Sequence, residues 1–135
     1  MSDVTASGNK APGFVTKPDH RVDLSPARGQ RVRVMFAGTT VADSVDAIAL
    51  AETGHDPVYY IPRKDVRMEL MSRTAHHTYC PYKGDCSYWT LAAGGRTAEN
   101  AVWSYERPYD EVMAIKEHLA FYRSRVDAVT VEPAG

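Results

Sequence analysis

The reactive side chains of this sequence gather in one stretch, Thr78-Tyr79-Cys80-Pro81-Tyr82-Lys83-Gly84-Asp85-Cys86-Ser87-Tyr88-Trp89. It holds both cysteines of the chain, and its lysine stands between a proline and a glycine among several aromatic residues. A cysteine beside a turn, with Lys83 near it and His76 on the same strand, has cationic neighbours that favour a reactive thiolate. Cys80 and Lys83 are therefore the catalytic candidates, although a buried cysteine also serves simply as a small apolar side chain. Zinc is not expected. His76, His77, Cys80 and Cys86 contain no Cys-x-x-Cys and no second pair, and adjacent histidines on a strand diverge. No other cofactor is expected either.

A binding pocket is the third chemistry. Tyr60, Tyr88, Trp89 and Trp103 supply aromatic surface, Arg63, Arg67, His77 and Lys83 supply positive or polar groups, and Asp65, Thr78 and Cys80 lie close to them in sequence. Aromatic faces with a few convergent polar groups suit a small planar or anionic ligand, a nucleotide included. The competing reading makes the aromatics core and the cations a solvated rim.

The elements that position these groups follow from turn chemistry and periodicity. Pro81 and Gly84 fit a four-residue hairpin loop, which pairs Cys80 with Asp85, Thr78 with Ser87 and His76 with Trp89. That register places Cys80 and Cys86 on opposite faces, where they cannot bond. Lys83 then sits exposed at the tip, with Asp65, Asp85 or Glu69 as its expected partner in the chain and a carboxylate or phosphate as its partner outside it.

Along the chain, residues 1–19 mix Ser, Gly, Pro, Ala and Lys without periodicity and are expected to form a flexible tail or a loosely docked arm. Residues 20–132 form the single domain and 133–135 a second tail. Ser25 to Gly29 reads as a turn cluster, and Arg31 to Ala37 alternates as a strand with Val32, Val34 and Phe36 on one face. Val41 to Asp43, Val58 to Ile61, Trp89 to Ala92, Glu99 to Tyr105 and Val126 to Val131 read as further strands. Ala47 to Glu52 is a strand or a helix start. Pro62 to Val66 forms one helical turn, and Tyr109 to Lys116 a short helix with Val112, Ile115 and Leu119 at helical spacing. The sum is a mainly-β, single-domain, two-sheet sandwich with one or two short helices.

Composition sets outer bounds. The 135 residues are 44% hydrophobic and 24% charged with a net charge of −1, the balance of a soluble globular domain with no general attraction to nucleic acid or anionic membranes. No apolar run approaches the roughly 18 residues of a membrane span, and Met1 to Phe14 lacks a signal-peptide core. A reduced, cytoplasmic protein is expected.

Read together, Val58-Tyr59-Tyr60-Ile61-Pro62 with Asp65-Val66, Thr78, Cys80-Pro81-Tyr82-Lys83-Gly84, Tyr88, Trp103-Ser104-Tyr105, Pro108 and Ala120-Phe121-Tyr122 resemble a bacterial family, domain-of-unknown-function family 427, labelled a nucleotidyltransferase domain. The resemblance runs from about Arg31 to Asp127, and Cys86 stands where the family pattern leads one to expect alanine. It implies a compact β-fold related to the two-sheet β-tent proteins. The residues themselves give the nucleotidyltransferase label no support, because there is no Asp-x-Asp pair, no Gly-x-x-x-x-Gly-Lys and no Gly-x-Gly-x-x-Gly. Two functions from different classes remain. One is a small-molecule or nucleotide-binding domain, enzymatic or not, centred on the Cys80–Lys83 turn and Tyr60. The other is a non-catalytic interaction module, a homodimer included, that meets its partner through a strand edge or aromatic patch.

Overall fold

A computed structural model describes residues 9–134. Ten strands make up most of it: β1 (Val22–Pro26), β2 (Gln30–Phe36), β3 (Thr39–Ser44), β4 (Ile48–Glu52), β5 (Val58–Tyr60), β6 (Met71–Cys80), β7 (Gly84–Ala93), β8 (Arg96–Ser104), β9 (Ala120–Phe121) and β10 (Ala128–Pro133). All pairings within the sheets are antiparallel. The mainly-β sandwich read from the sequence is the observed fold. Its strands fall into three hydrogen-bonded groups, ordered β1-β4-β5, β10-β2-β3 and β6-β7-β8-β9. Ile61 and Leu119 exchange two backbone hydrogen bonds of 2.8 Å and so tie the end of β5 to the start of β9.

The strands sort their side chains between two cores. Val32, Val34 and Phe36 of β2 point into the first core with Val41, Trp89, Leu91, Val102 and Phe121. Leu50, Tyr60, Cys86, Tyr88, Tyr105, Val112, Ile115 and Ala120 form the second. Successive side chains on a strand point to opposite faces, so neighbours in sequence part company: Tyr60 from Ile61, Tyr88 from Trp89, Ala120 from Phe121. β7 and β8 are thus buried on both faces.

Three local differences from the sequence reading have physical causes. Val22–Pro26 is a strand, paired along the edge of β4 with Pro26 at its last position, where a missing N–H costs nothing. Ala47 to Glu52 resolves as β4 because β1 and β5 pair with it from both sides, and that pairing overrides the helix preference of its alanines. The segment expected to be helical after Tyr109 is a 3₁₀ stretch, Asp110–Ile115, with a non-helical kink at Val112 that drives Val112 and Ile115 into the second core.

Of the two expectations for residues 1–19, a mobile tail or a loosely docked arm, the structure shows a docked arm from Asn9 onward; residues 1–8 lie outside the described residues, as does Gly135. Residues 9–20 form an arm across the hairpin between β6 and β7. Asp110 N–H donates to Asn9 O at 2.9 Å, and the Ala11 and Gly13 N–H groups donate at 3.0 Å to Glu111 Oε1 and Pro81 O. One helical turn follows, Gly13–Thr16. Its first residue has to be small, because a Cβ on Gly13 would fall 2.6 Å from the Tyr82 ring.

This contact generates a test. Overpacking costs about 1–3 kcal/mol, so Gly13→Ala should lift the arm locally and speed hydrogen exchange over residues 13–17 while β7 and β8 stay protected. Unchanged exchange in the arm would show that it docks without the Gly13–Tyr82 contact.

Candidate functional site

The site is built on the hairpin turn, and the turn is one residue shorter than its sequence suggests. Cys80 pairs with Gly84, Tyr79 with Asp85 and Thr78 with Cys86, leaving Pro81, Tyr82 and Lys83 as a three-residue loop closed by Lys83 N–H on Cys80 O at 3.2 Å. Gly84, with φ at 114°, is the closing residue that a three-residue hairpin loop requires rather than a member of the loop. The expected pairings Cys80–Asp85, Thr78–Ser87 and His76–Trp89 are therefore all displaced. Cys80 and Cys86 share a face, diagonally placed, and both are free thiols. Diagonal positions sit roughly 7–8 Å apart, well beyond the Cβ spacing of about 3.5–4.5 Å that a disulfide needs.

The shorter loop turns its tip inward. Tyr82 is buried between Phe14, edge-on at 4.9 Å, and His20, stacked at 4.4 Å. Lys83 is buried too, at 8% exposure, and donates to Glu52 Oε1 at 2.7 Å. Glu52 Oε2 accepts from His20 Nε2 at 2.8 Å. The expected exposed lysine with Asp65, Asp85 or Glu69 as partner is thus corrected: the partner is Glu52, the last residue of β4. Burial alone would raise the Glu52 carboxyl, but hydrogen bonds from Lys83 and His20 outweigh it and hold the group below its ordinary value. Lys83 Nζ also lies 3.9 Å from Cys80 Sγ.

Above this ion pair opens a cavity of about 190 Å³ walled by Tyr60, Tyr88, Trp103, Tyr105 and Tyr122. Trp103 Nε1–H donates to the Tyr60 hydroxyl at 3.2 Å, and the Tyr88 hydroxyl bonds Thr78 Oγ1 at 2.9 Å. Tyr122 stacks parallel to Tyr88 and lies 4.5 Å from Trp103. Burial raises the phenol pKa values of Tyr60, Tyr88 and Tyr105 above their ordinary 10.0, so all three hydroxyls keep their protons at neutral pH. Burial likewise pushes the Cys86 thiol up. Asp56, Val58, Trp103 and Tyr122 also border a second cavity of about 310 Å³, lined further by Val34, Ile61, Phe121 and Arg123.

Of the residues proposed from the sequence, Tyr60, Lys83, Tyr88 and Trp103 line the smaller cavity, Thr78 holds one of its tyrosines, and Cys80 lies beside its lysine. Arg63, Asp65 and His77 do not reach it. Arg63 lies over the Trp89 ring at 5.5 Å, on the first-core side of β7, and Asp65 accepts from Ser44 Oγ at 2.7 Å and Lys64 Nζ at 3.1 Å. His77 is exposed on β6, an edge strand of its sheet, and Arg67 pairs with Glu69. His76 packs against the Tyr88 ring at 4.5 Å, away from the role imagined beside Cys80. Glu52, Tyr105, Tyr122 and His20 were not singled out. Tyr105 and Tyr122 stood inside the aromatic runs that carry the family resemblance, but Glu52 and His20 gave no local signal, since only the tertiary fold brings them to Lys83. Among the described residues, no group of three His, Cys, Asp or Glu side chains could hold a metal ion.

Fold and site together define a small mainly-β domain with an enclosed ion pair beneath a tyrosine-lined cleft. The chain belongs to the family described as Domain of unknown function (DUF427), whose pattern matches residues 23–132 and whose short label refers to nucleotide transfer. No curated protein matches it.

The ion pair yields two expectations. Removing one member of a buried pair strands the other's charge. Side-chain exposures of 10% for Lys83 and 15% for Glu52 leave little water to replace the lost partner. Lys83→Met should cost about 2–4 kcal/mol in urea unfolding, and adding Glu52→Gln should return much of that loss; strict additivity of the two changes would show no coupling. Because the folded-state carboxyl lies below its ordinary 4.5, its stabilisation is fully present above that pH and fades as pH falls through the lower folded value. Wild type should accordingly lose stability below about pH 4.5 faster than the double variant.

Proposed function

We propose that this chain is a small-molecule-binding domain whose ligand occupies the cleft made by the two adjoining cavities. One observation carries the reading: polar groups and aromatic faces line a half-open cleft, with Trp103 and Tyr122 serving as a wall common to both cavities. Such a combination is the usual make-up of a ligand site. The reading is one of binding alone. Cys80 has Lys83 as its nearest cation, and that lysine is already committed to Glu52.

An anionic or nucleotide-like ligand would have to place its charge at Arg123 in the larger cavity, because Lys83 is already neutralised. Asp43 and Asp46, the acidic residues nearest in spacing to a metal-holding pair, are each engaged by a cation. Arg31 binds Asp43 through two hydrogen bonds of 2.7 and 2.6 Å, and Lys64 holds Asp46 at 2.8 Å. No described helix is long and apolar enough to cross a membrane, and two free thiols suit a reducing, cytoplasmic setting. Self-association has one observation in its favour: β6 is an edge strand, with Tyr79 exposed on it.

The two tryptophans allow a direct test. Trp103 faces the cleft and Trp89 the opposite core. A metabolite that binds in the cleft should change tryptophan fluorescence in wild type and in Trp89→Phe, but not in Trp103→Phe. If no compound of a broad metabolite panel gives that pattern, and the protein sediments as a concentration-dependent dimer, the interaction reading replaces this one.

A further inference from the structure

The smaller cavity presents donors with nothing to donate to. The Tyr60 hydroxyl accepts from Trp103 Nε1 but, among the described residues, has no acceptor for its own proton. The Tyr105 hydroxyl lines the cavity and has no oxygen or nitrogen partner among the described residues; the Cys86 thiol, a weak acceptor, is its one neighbour of that kind. Lys83 carries three N–H groups; one goes to Glu52 and a second is directed at Cys80 Sγ. Donors in a half-open site are met by solvent until an acceptor on a ligand replaces it.

Charge and volume narrow that acceptor. Glu52, His55, Asp56 and Lys83 border the cavity and Lys83 is already paired with Glu52, so an incoming phosphate or carboxylate meets no free ammonium and lies near the Asp56 carboxylate. A neutral oxygen acceptor avoids that charge repulsion and can be met by the hydroxyl donors of Tyr60 and Tyr105 on the aromatic side of the cavity. The volume of about 190 Å³ is close to that of an apolar cavity of roughly 150 Å³ that admits benzene, and below the roughly 300 Å³ at which sites for larger ligands begin. Trp103 and Tyr122 supply ring faces against which a planar body stacks.

Building on the binding reading above, we infer that this cavity is the part of the cleft that takes an uncharged ring through its carbonyl oxygen. The Tyr105 and Tyr60 hydroxyls donate to the oxygen, Lys83 is the third donor within reach, and the ring lies against Trp103 and Tyr122. Glu52 acts as a positioning residue, keeping Lys83 at the floor while cancelling its attraction for anions. Tyrosine hydroxyls, with an ordinary pKa of 10.0, are protonated donors throughout the neutral range, and burial moves these two further in the same direction.

The probes are acetophenone, ethylbenzene and benzoate, which share a ring and differ in having a neutral acceptor, none, or a charged one. Titrated against the full chain and followed by Trp103 fluorescence, acetophenone should bind roughly tenfold or more tighter than either control, as one or two neutral hydrogen bonds imply. Its carbonyl stretch should fall in frequency on binding. Tyr105→Phe should lose about tenfold in affinity and return the stretch toward its solution value, with ethylbenzene binding unchanged as the check that the cavity keeps its shape. Benzoate binding as tightly as acetophenone, or Tyr105→Phe and Tyr60→Phe both binding acetophenone like wild type, would overturn the assignment. If acetophenone fails while another metabolite perturbs Trp103, the ring-carbonyl inference falls and the cleft survives. If nothing perturbs Trp103, both fall.

Discussion

Lys83 is the residue on which the rest of the structure turns, because a lysine at a hairpin tip has every reason to stay in water and this one does not. Its ammonium is drawn down onto Glu52 at 2.7 Å, and Glu52 is held from the other side by His20. Three separated stretches of chain, the N-terminal arm, the end of β4 and the β6–β7 loop, are joined at one carboxylate. Enclosing such a charge is tolerable only when each oxygen finds a donor. The arm is therefore part of the domain, and Tyr82, gripped between Phe14 and His20, is the apolar half of the same junction.

The inward tip also explains why the cleft has its character. With Lys83 paired below, the space above is left to tyrosines, whose hydroxyls supply hydrogen-bonding direction without net charge. The alternation of β5, β7 and β8 sends Tyr60, Tyr88, Trp103 and Tyr105 to this side and Ile61, Trp89 and Val102 to the other. A rigid, doubly buried sheet thus presents the aromatic wall, which is a firmer base for recognition than a loop would be.

Much of this was legible in the sequence, and the failures have a common origin. The β2 alternation, the strand at Val58, the β6–β7 hairpin and the grouping of Tyr60, Lys83, Tyr88 and Trp103, which line one cavity, all follow from local pattern. Register did not. Pro81 and Gly84 fit two loop lengths, and the choice between them depends on Gly84 taking a positive φ as the closing strand residue, which a two-residue signal does not specify. Period-two geometry then magnifies a one-residue slip into exchanged faces, which is why Cys80 and Cys86 were assigned to opposite sides. Glu52 and His20 escaped for a different reason: each looks like an ordinary polar residue until a contact 31 or more positions away gives it a role.

If the cleft binds a small molecule as proposed, the balance of charge around it bears on how that ligand would get there. Glu52 and Asp56 offset Lys83 and Arg123 across the two cavities, and the chain as a whole carries only −1. No long-range field focuses on the mouth, so arrival is left to unaided diffusion and to the orientation of the encounter. Ionic strength, which strongly slows capture by charged funnels, has little to screen here. Discrimination in such a cleft falls to how long a compound stays, a dwell time set by hydroxyl geometry and ring contact rather than by the speed of its approach.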